Sequence, residues 1–157
     1  MRVNRETEET PEGSDLLAAR LRAHGLRVTS PRLAVLAALE QLGGHQDAET
    51  IGAATRRRLG AVSSQAVYDI LAVFTEHGLV RRIAAAGRAA RYETRIGDNH
   101  HHLVCRGCGR TVDVDCAAGE TRCLRPAETA GFVIDEVEVV FRGLCPGCQH
   151  THKEERR

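Results

Sequence analysis

The sequence predicts an α+β chain in which an N-terminal winged helix-turn-helix domain is followed by a small C-terminal α/β domain. Three observations predict it: apolar residues at helical spacing in the first half, a basic strand-turn-strand segment after the last helix, and three strand-like runs beyond residue 99, which are HHLVC, TVDVD and FVIDEVEVVF, the last over residues 132–141. Aromatic residues make up only 3% of the chain and Trp is absent. The cores must therefore be small and aliphatic, so a covalent or metal cross-link or a second chain is expected to support them.

Composition and turn residues divide the chain into five predicted segments. The opening residues are charged and include a Pro and a Gly, which is typical of disorder, and the Asp98-Asn99 pair marks a joint. The predicted segments are a disordered arm over residues 1–13, a first domain over residues 14–94, a hinge over residues 95–99, a second domain over residues 100–150 and a tail over residues 151–157.

Capping residues and glycines mark the helices of the first domain. The second helix is well marked, because Ser30 is a good N-cap and Pro31 favours the first helical position. The expected helices run from Ser14 or Asp15 to Gly25, from Ser30 to Gly43, from about Asp47 to Leu59, and from Ser63 to Gly78. Two short strands joined by a turn at Gly87 follow, and they complete a winged helix.

The fourth helix and the hairpin are typical of a surface that binds double-stranded DNA. Ser64, Gln65 and Tyr68 lie opposite the apolar face and have the size and polarity to enter a major groove. The formal net charge is only +1, but residues 16–94 carry 11 basic and 6 acidic side chains, whereas residues 95–157 carry 9 and 10. The hairpin arginines suited to phosphate are Arg81, Arg82, Arg88 and Arg91. Each feature taken singly also fits an ordinary solvated surface. Because they occur together in a predicted winged helix, they favour DNA binding.

Two Cys-x-x-Cys pairs, Cys105 to Cys108 and Cys145 to Cys148, are the most specific motif. Each pair has a Gly before its second Cys, which is expected to let both sulfurs face one ion. The opening segment lacks the apolar stretch of a secretory signal, and no run is long enough to cross a bilayer. A cytoplasmic chain keeps its thiols reduced, so two disulfides or thioredoxin-like redox pairs are the weaker interpretations. Four thiolates favour a closed structural Zn²⁺ site.

A second metal site is indicated by the run His100-His101-His102. On a strand, His100 and His102 share one face, and Asp113 on the next strand is placed to add an oxygen ligand. Such mixed donors suit Fe²⁺, Mn²⁺ or Zn²⁺, although a solvated histidine patch stays open as an alternative. Cys116 and Cys123 are either ordinary thiols or a redox or extra metal pair.

Together these motifs resemble the ferric uptake regulator family of bacterial repressors, from about Leu16 to Gln149, and most closely its actinobacterial FurA and CatR group, whose members lie beside catalase genes and sense peroxide. The matching stretches are GLRVTSPRLAVL, GHQDAETI, VSSQAVYDIL, HGLVRRI, RYET, HHHLVCRGCG and GLCPGC. The resemblance implies a homodimer, formed through the second domain, that binds operator DNA under metal control.

The resemblance also implies roles for individual residues. The implied structural zinc ligands are Cys105, Cys108, Cys145 and Cys148, and the implied regulatory Fe²⁺ or Mn²⁺ ligands are His45, Glu93, His100, His102 and Asp113. An additional metal site would use His101 and Glu120, but Val137 stands where its second His is usual. Arg27 matches a residue that enters the minor groove, and Tyr68 one that reads bases.

Two positions bear on the signal and on the DNA contact. An Asp, rather than a Glu, at position 113 goes with peroxide-sensing relatives, in which the residues matching His45 and His100 are oxidised to 2-oxo-histidine. The family commonly has an Arg where this chain has Asp69, and a carboxylate there repels phosphate.

The expected function is therefore a cytoplasmic repressor, with no membrane partner and no small-molecule substrate, that senses peroxide through bound Fe²⁺ and controls catalase- or peroxidase-type genes. The alternatives are an iron- or zinc-responsive repressor and a thiol-based repressor acting through the zinc-site cysteines. An enzyme is not expected, because a metallohydrolase would need a motif such as His-Glu-x-x-His. A zinc-stabilised adaptor without a DNA role would leave the basic winged-helix half unexplained.

Overall fold

The computed structural model describes residues 11–83, 89–96, 100–115, 128–134 and 139–149, which form two compact units. The helices are α1 (Pro11–Ala23), α2 (Ser30–Leu42), α3 (Ala48–Leu59) and α4 (Ser64–Glu76). The strands are β1 (Gln46–Asp47), β2 (Arg81–Ile83), β3 (Arg91–Glu93), β4 (His100–Cys105), β5 (Thr111–Asp115) and β6 (Val140–Gly143). The first unit holds the helices, β1, β2 and all of β3 except Arg91, and the second holds β4 to β6. Among the described helices, none combines the length and apolar character that crossing a bilayer requires.

The core of the first unit is aliphatic, as the composition predicted. Leu21 of α1, Leu36 of α2, Ile51 of α3 and Leu71 of α4 are all completely buried. Phe74 is the one Phe in the buried core of the described residues. Complete burial of a side chain of this size stabilises the fold by about 1.5–3 kcal/mol, so the four helices are held mainly by these interdigitated side chains.

The capping residues set where three helices begin. Asp47 Oδ1 accepts a hydrogen bond from Thr50 N at 2.7 Å and so caps α3, which was expected to begin at about Asp47. Ser63 Oγ accepts one from Ala66 N at 3.1 Å, which confirms the predicted cap of α4. The predicted cap of α2 was wrong by one residue. Thr29, in extended conformation, is the N-cap, so Ser30 is already helical. In α1 the helix begins at Pro11, before the predicted cap at Ser14 or Asp15.

A reciprocal histidine contact connects the C-terminal ends of α1 and α4. His24 Nδ1 lies 2.9 Å from the carbonyl oxygen of His77, and His77 Nδ1 lies 3.0 Å from the carbonyl oxygen of His24. Since a carbonyl oxygen only accepts, each Nδ1 must carry the hydrogen and donate it. The two helix ends are thereby joined beside Gly25 and Gly78, both of which have positive φ.

The three strands of the first unit form a small sheet in the order β1-β3-β2. The sequence predicted the neighbouring strands β2 and β3 as a hairpin, whereas the two-residue strand β1 was not predicted. Its pairing places residues 46–47, just before α3, next to β3. Gly87, the expected hairpin turn, lies outside the described residues.

The second unit is a three-stranded sheet in the order β5-β4-β6. β4 pairs antiparallel with β5, with His102 opposite Asp113, and parallel with β6, with Cys105 opposite Gly143. The expected strand from Phe132 to Phe141 was wrong in part. Residues 132–134 are not in a strand, and Phe132 is 77% exposed, because in the described part of this stretch the ladder to β4 begins only at Val140.

Candidate metal centres and nucleic-acid interface

Four cysteine sulfurs of the second unit converge on one point. Cys105 ends β4 and Cys108 follows in the next turn, while Cys145 and Cys148 lie beyond β6 in and beside a helical turn over residues 146–149. The four Sγ atoms all lie within 4.8 Å of one another, and Cys108 Sγ is 3.7 Å from Cys145 Sγ. Four thiolates placed tetrahedrally about 2.3 Å from a Zn²⁺ ion would have edges of about 3.8 Å. The cluster therefore fits a closed tetrahedral site, which we call the sulfur cluster.

The thiols of the sulfur cluster differ strongly in acidity. The backbone N–H of Cys145 donates to Cys105 Sγ at 3.3 Å, and this bond is the main reason that the pKa of Cys105 falls to about 6. The neighbouring sulfurs, that of Cys145 first, raise the pKa of Cys148 to about 12, because the thiol proton is shared among them. Crowded sulfurs resist full deprotonation unless a cation replaces the proton, and this is the behaviour of a metal-binding donor set.

Each Cys-x-x-Cys segment of the sulfur cluster, which we call a knuckle, contains one glycine, and the two glycines have different roles. A Cβ atom on Gly107 would lie 2.8 Å from Cys148 Sγ and 3.0 Å from its Cβ, so only glycine fits there without displacing a ligand. A Cβ on Gly147 would meet no atom within 4 Å. Neither residue has a positive φ, and the left-handed turn after the first knuckle is made by Gly109. Close approach, rather than turn geometry, thus explains Gly107, and the space around Gly147 requires no glycine.

In the first unit, a buried carboxylate and an imidazole form what we call the donor pair. Glu93 is 2% exposed, and its Oε2 lies 3.0 Å from His45 Nε2. Arg81 Nη1 lies 3.9 Å from the other carboxylate oxygen of Glu93. Burying a carboxylate is costly unless cations or donors surround it. Arg81 therefore faces Glu93 in the wing, and its contact with phosphate stays a prediction.

In the second unit, three further side chains form what we call the donor triad. His100 and His102 are 4% and 0% exposed, and their rings meet edge to face with centroids 4.8 Å apart. Asp113 Oδ1 lies 3.9 Å from His100 Nε2 and 3.7 Å from His102 Nε2. The alternation of β4 and its register with β5 put these residues on one face, as the sequence predicted. Two imidazoles and a carboxylate suit Fe²⁺, Mn²⁺ or Zn²⁺.

The remaining candidate ligands divide into described and undescribed residues. His101 points to the opposite face of β4, where its ring meets Phe141 edge-on with centroids 6.1 Å apart. Its Nδ1 is buried, with no hydrogen-bond partner among the described residues. Glu120, Val137, Cys116 and Cys123 lie outside the described residues, as do Arg88, Asp98 and Asn99.

The outer side of α4 carries the predicted DNA-reading residues. Ser64, Gln65 and Tyr68 are exposed, and Tyr68 is 51% exposed. Gln65 Nε2 donates to Asp69 Oδ1 at 2.7 Å, a contact that the sequence reasoning missed although its (i, i+4) spacing could have suggested it. Arg27 is exposed, and its carbonyl oxygen accepts from Arg32 Nη1 at 3.0 Å. The structure thus presents a polar helix face without a core role.

Comparisons with known proteins agree on one family of transcriptional regulators. The model of the ferric uptake regulator family matches residues 23–142. The transcriptional regulator FurA of Mycobacterium tuberculosis is 55% identical over 131 residues, covering 83% of this chain and 88% of that protein. The peroxide operon regulator of Bacillus subtilis is 29% identical over 128 residues, covering 82% of this chain and 88% of that protein. The solved structure of the ferric uptake regulator from Pseudomonas aeruginosa with manganese has a TM-score of 0.70 and 28% identity, covering 83% of this chain and 98% of that chain.

Proposed function

Because the chain belongs to the ferric uptake regulator family, and is thus a metal-dependent transcriptional regulator rather than an enzyme, we propose that it is a cytoplasmic homodimeric repressor whose operator binding requires a second metal ion. The observation that carries the proposal is the burial of ionisable donors in both units. Glu93 is 2% and His102 is 0% exposed. Such groups are rarely buried in an aliphatic core without a charge to compensate them.

The sulfur cluster is proposed to hold Zn²⁺ permanently. Its donors are all thiols, it lies within one unit, and four ligands leave no open coordination position. Zinc in such a site stabilises the surrounding fold. The second unit needs this stabilisation, because several of its described aromatic and aliphatic side chains are exposed and do not contribute to a core. We propose that the same unit makes the dimer contact.

The donor pair and donor triad are proposed to share one regulatory Fe²⁺ or Mn²⁺ ion. Its ligands would be His45, Glu93, His100, His102 and Asp113, all of them buried or nearly so at their donor atoms. An ion that binds donors of both units would fix the angle between them. In a dimer this angle sets the distance between the two α4 helices, which must match major grooves roughly 34–36 Å apart. A shift from 1:99 to 99:1 needs about 5.5 kcal/mol of differential binding, well below the roughly 10–16 kcal/mol that structural zinc provides in small peptides.

Peroxide is proposed as the signal. A bound Fe²⁺ would supply the electron transfer that cleaves the O–O bond of peroxide. Overall, one oxygen atom of peroxide is added to an imidazole ring carbon of His45 or His100, the ring loses two electrons, and water takes the other oxygen. A 2-oxo-histidine is a poorer metal ligand, so the ion and then the DNA would be released. The Asp at position 113 and the similarity to a peroxide operon regulator support this signal.

Operator binding and mass spectrometry test the proposal together. Operator affinity measured by fluorescence anisotropy should be high with Fe²⁺ or Mn²⁺ and low with EDTA. Equal affinity with metal and with EDTA would contradict a metal-dependent repressor. After peroxide treatment, the peptides with His45 and His100 should gain one oxygen in the iron form only, with the manganese form as control. If both metal forms stay unmodified and peroxide leaves DNA binding intact, the signal is metal availability instead.

A thiol-based repressor is the second candidate, favoured by one observation. The pKa of Cys105 falls to about 6, so without metal its thiol would be mostly deprotonated at neutral pH, the state that oxidants attack, and its cluster partner Cys108 is exposed. The same experiment separates the two candidates, because this one predicts oxygen or disulfide on Cys105 or Cys108, loss of zinc, and no dependence on iron.

A further inference from the structure

Gln65 and Asp69 form a hydrogen-bonded pair on the exposed side of α4. The contact is 2.7 Å long between Gln65 Nε2 and Asp69 Oδ1, and both residues are exposed one helical turn apart. Tyr68 lies beside them with half its surface exposed. Neither polar side chain packs in the core, and surface pairs of this kind add only a few tenths of a kcal/mol to a helix. Folding stability therefore does not account for the pair.

The pair presents mostly acceptors to solvent. Gln65 uses one of its two amide N–H groups on Asp69, which leaves the second N–H and Oε1. Asp69 is a carboxylate with several free lone-pair positions and no hydrogen to donate. The hydrogen bond to Asp69 also fixes the orientation of the Gln65 amide. A glutamine without this bond would lose side-chain conformational entropy when it adopts the same orientation.

The charge of α4 makes phosphate an unsuitable partner for this pair. From Ser64 to Glu76 the helix contains two carboxylates, Asp69 and Glu76, and no Lys or Arg. A carboxylate is repelled by the DNA backbone, so Asp69 weakens binding to every sequence unless it meets a donor on a base edge. In the major groove the donors are the exocyclic amino groups of adenine and cytosine, whereas guanine shows two acceptors, N7 and O6.

We propose that Gln65 and Asp69 act as one reading unit that selects a base with an exocyclic amino group, adenine or cytosine, and rejects guanine at one position of each half-operator. This inference rests on the proposed operator binding and adds the residues that decide its base preference. Asp69 acts both as an acceptor and as a positioning residue for Gln65. Rejection of guanine follows because its N7 and O6 would face the Asp69 carboxylate, which has no hydrogen to donate.

The test is selection of bound sequences from a randomised operator by the metal-loaded full chain, followed by affinity measurements on the chosen sites. Asp69→Leu removes the hydrogen bond and the charge, and Gln65→Ala removes the amide. Glu76→Gln is the matched control, because it removes the other carboxylate of α4, which is exposed and makes no contact with Gln65 among the contacts described. Circular dichroism verifies that each variant is folded, and Gln65→Met serves as a second variant if Gln65→Ala is not.

Asp69→Leu and Gln65→Ala should each lose at least about fivefold in discrimination against guanine at the same position. The double variant should lose no more than either single one, since the two residues act together. Glu76→Gln should strengthen binding to all sequences evenly. If Asp69→Leu behaves like Glu76→Gln, with base preference unchanged, the reading unit is wrong while operator binding stands. If the unmodified chain selects no sequence with metal present, the proposed function itself has failed.

Discussion

The sulfur cluster and the histidine–carboxylate donors are two candidate metal sites of a small aliphatic protein, and they differ in the type and the distribution of their donors. The sulfur cluster takes all four donors from one unit, of one chemical type, within two short knuckles. The donor pair and donor triad contain imidazoles and carboxylates that belong to different units. A closed set of thiolates is suited to permanent stabilisation, whereas imidazoles and carboxylates are suited to an ion that exchanges. The comparison teaches that the chemical type of the donors, and not burial alone, distinguishes the proposed structural site from the proposed regulatory site.

Breaking the sulfur cluster should have the largest effect. Cys108→Ser replaces one thiolate by a hydroxyl, and loss of a site that provides on the order of 10 kcal/mol should unfold the second unit. We expect loss of bound zinc, of the dimer and of operator binding, measured by metal analysis, sedimentation and anisotropy. Arg106→Ala, in the same knuckle but with an exposed side chain, is the control and should keep all three. A folded, dimeric Cys108→Ser protein without zinc would show that the cluster is not structural.

Removing one donor of the triad should abolish regulation but leave the zinc in place. His102→Ala is expected to reduce Fe²⁺ or Mn²⁺ affinity by about a hundredfold or more, since even outer-shell partners cost 10–100-fold. Operator binding should then no longer respond to EDTA. The matched control is Leu103→Ala, on the opposite face of the same strand, which removes no donor atom and should retain metal-controlled binding. Equal losses in the two variants would contradict the assignment of the triad.

Gly107→Ala should weaken the sulfur cluster by a smaller amount. The added Cβ would lie 2.8 Å from Cys148 Sγ, so either the ligand or the knuckle must shift. Such overpacking typically costs about 1–3 kcal/mol, which in a chain of this size lowers the Tm by several degrees. Competition with a zinc chelator and thermal unfolding measure the effect. Gly147→Ala has open space and should behave like the unmodified chain; a comparable loss there would mean that backbone flexibility, not space, is what the knuckles need.

Arg81→Gln should have the smallest effect, and in the opposite direction. The guanidinium lies 3.9 Å from Glu93, and a cation there opposes a second cation at the same carboxylate. Replacing it should raise Mn²⁺ affinity a few-fold, most clearly at low salt, and should leave zinc unchanged. Isothermal titration with Mn²⁺ at two ionic strengths measures this. A fall in affinity would indicate that Arg81 mainly holds Glu93 in position.

The local signals in the sequence were sufficient for much of the fold and for one site. Ser63 caps α4 as predicted, because a cap acts over three residues and is visible without any tertiary contact. The two Cys-x-x-Cys pairs predicted the sulfur cluster, because a knuckle is local and four thiols in reduced surroundings have few other uses. The alternation of β4 likewise placed His100 and His102 on one face. That these imidazoles and Asp113 bind metal stays a prediction.

Other features depended on contacts between distant segments, which no local pattern contains. His45 and Glu93 are 48 positions apart in sequence and only 3.0 Å apart in the structure, and their association was implied by family resemblance alone. The contact of Arg81 with Glu93 and the close approach of Cys148 to Gly107 were not predicted at all. Both arise only when separate strands or knuckles meet. The sequence by itself thus determined the presence of the four helices, the cap of α4 and the thiol knuckles, where the interactions act within about one turn. Only the tertiary structure decided which buried charges meet and how closely two backbones approach, because long-range packing sets both.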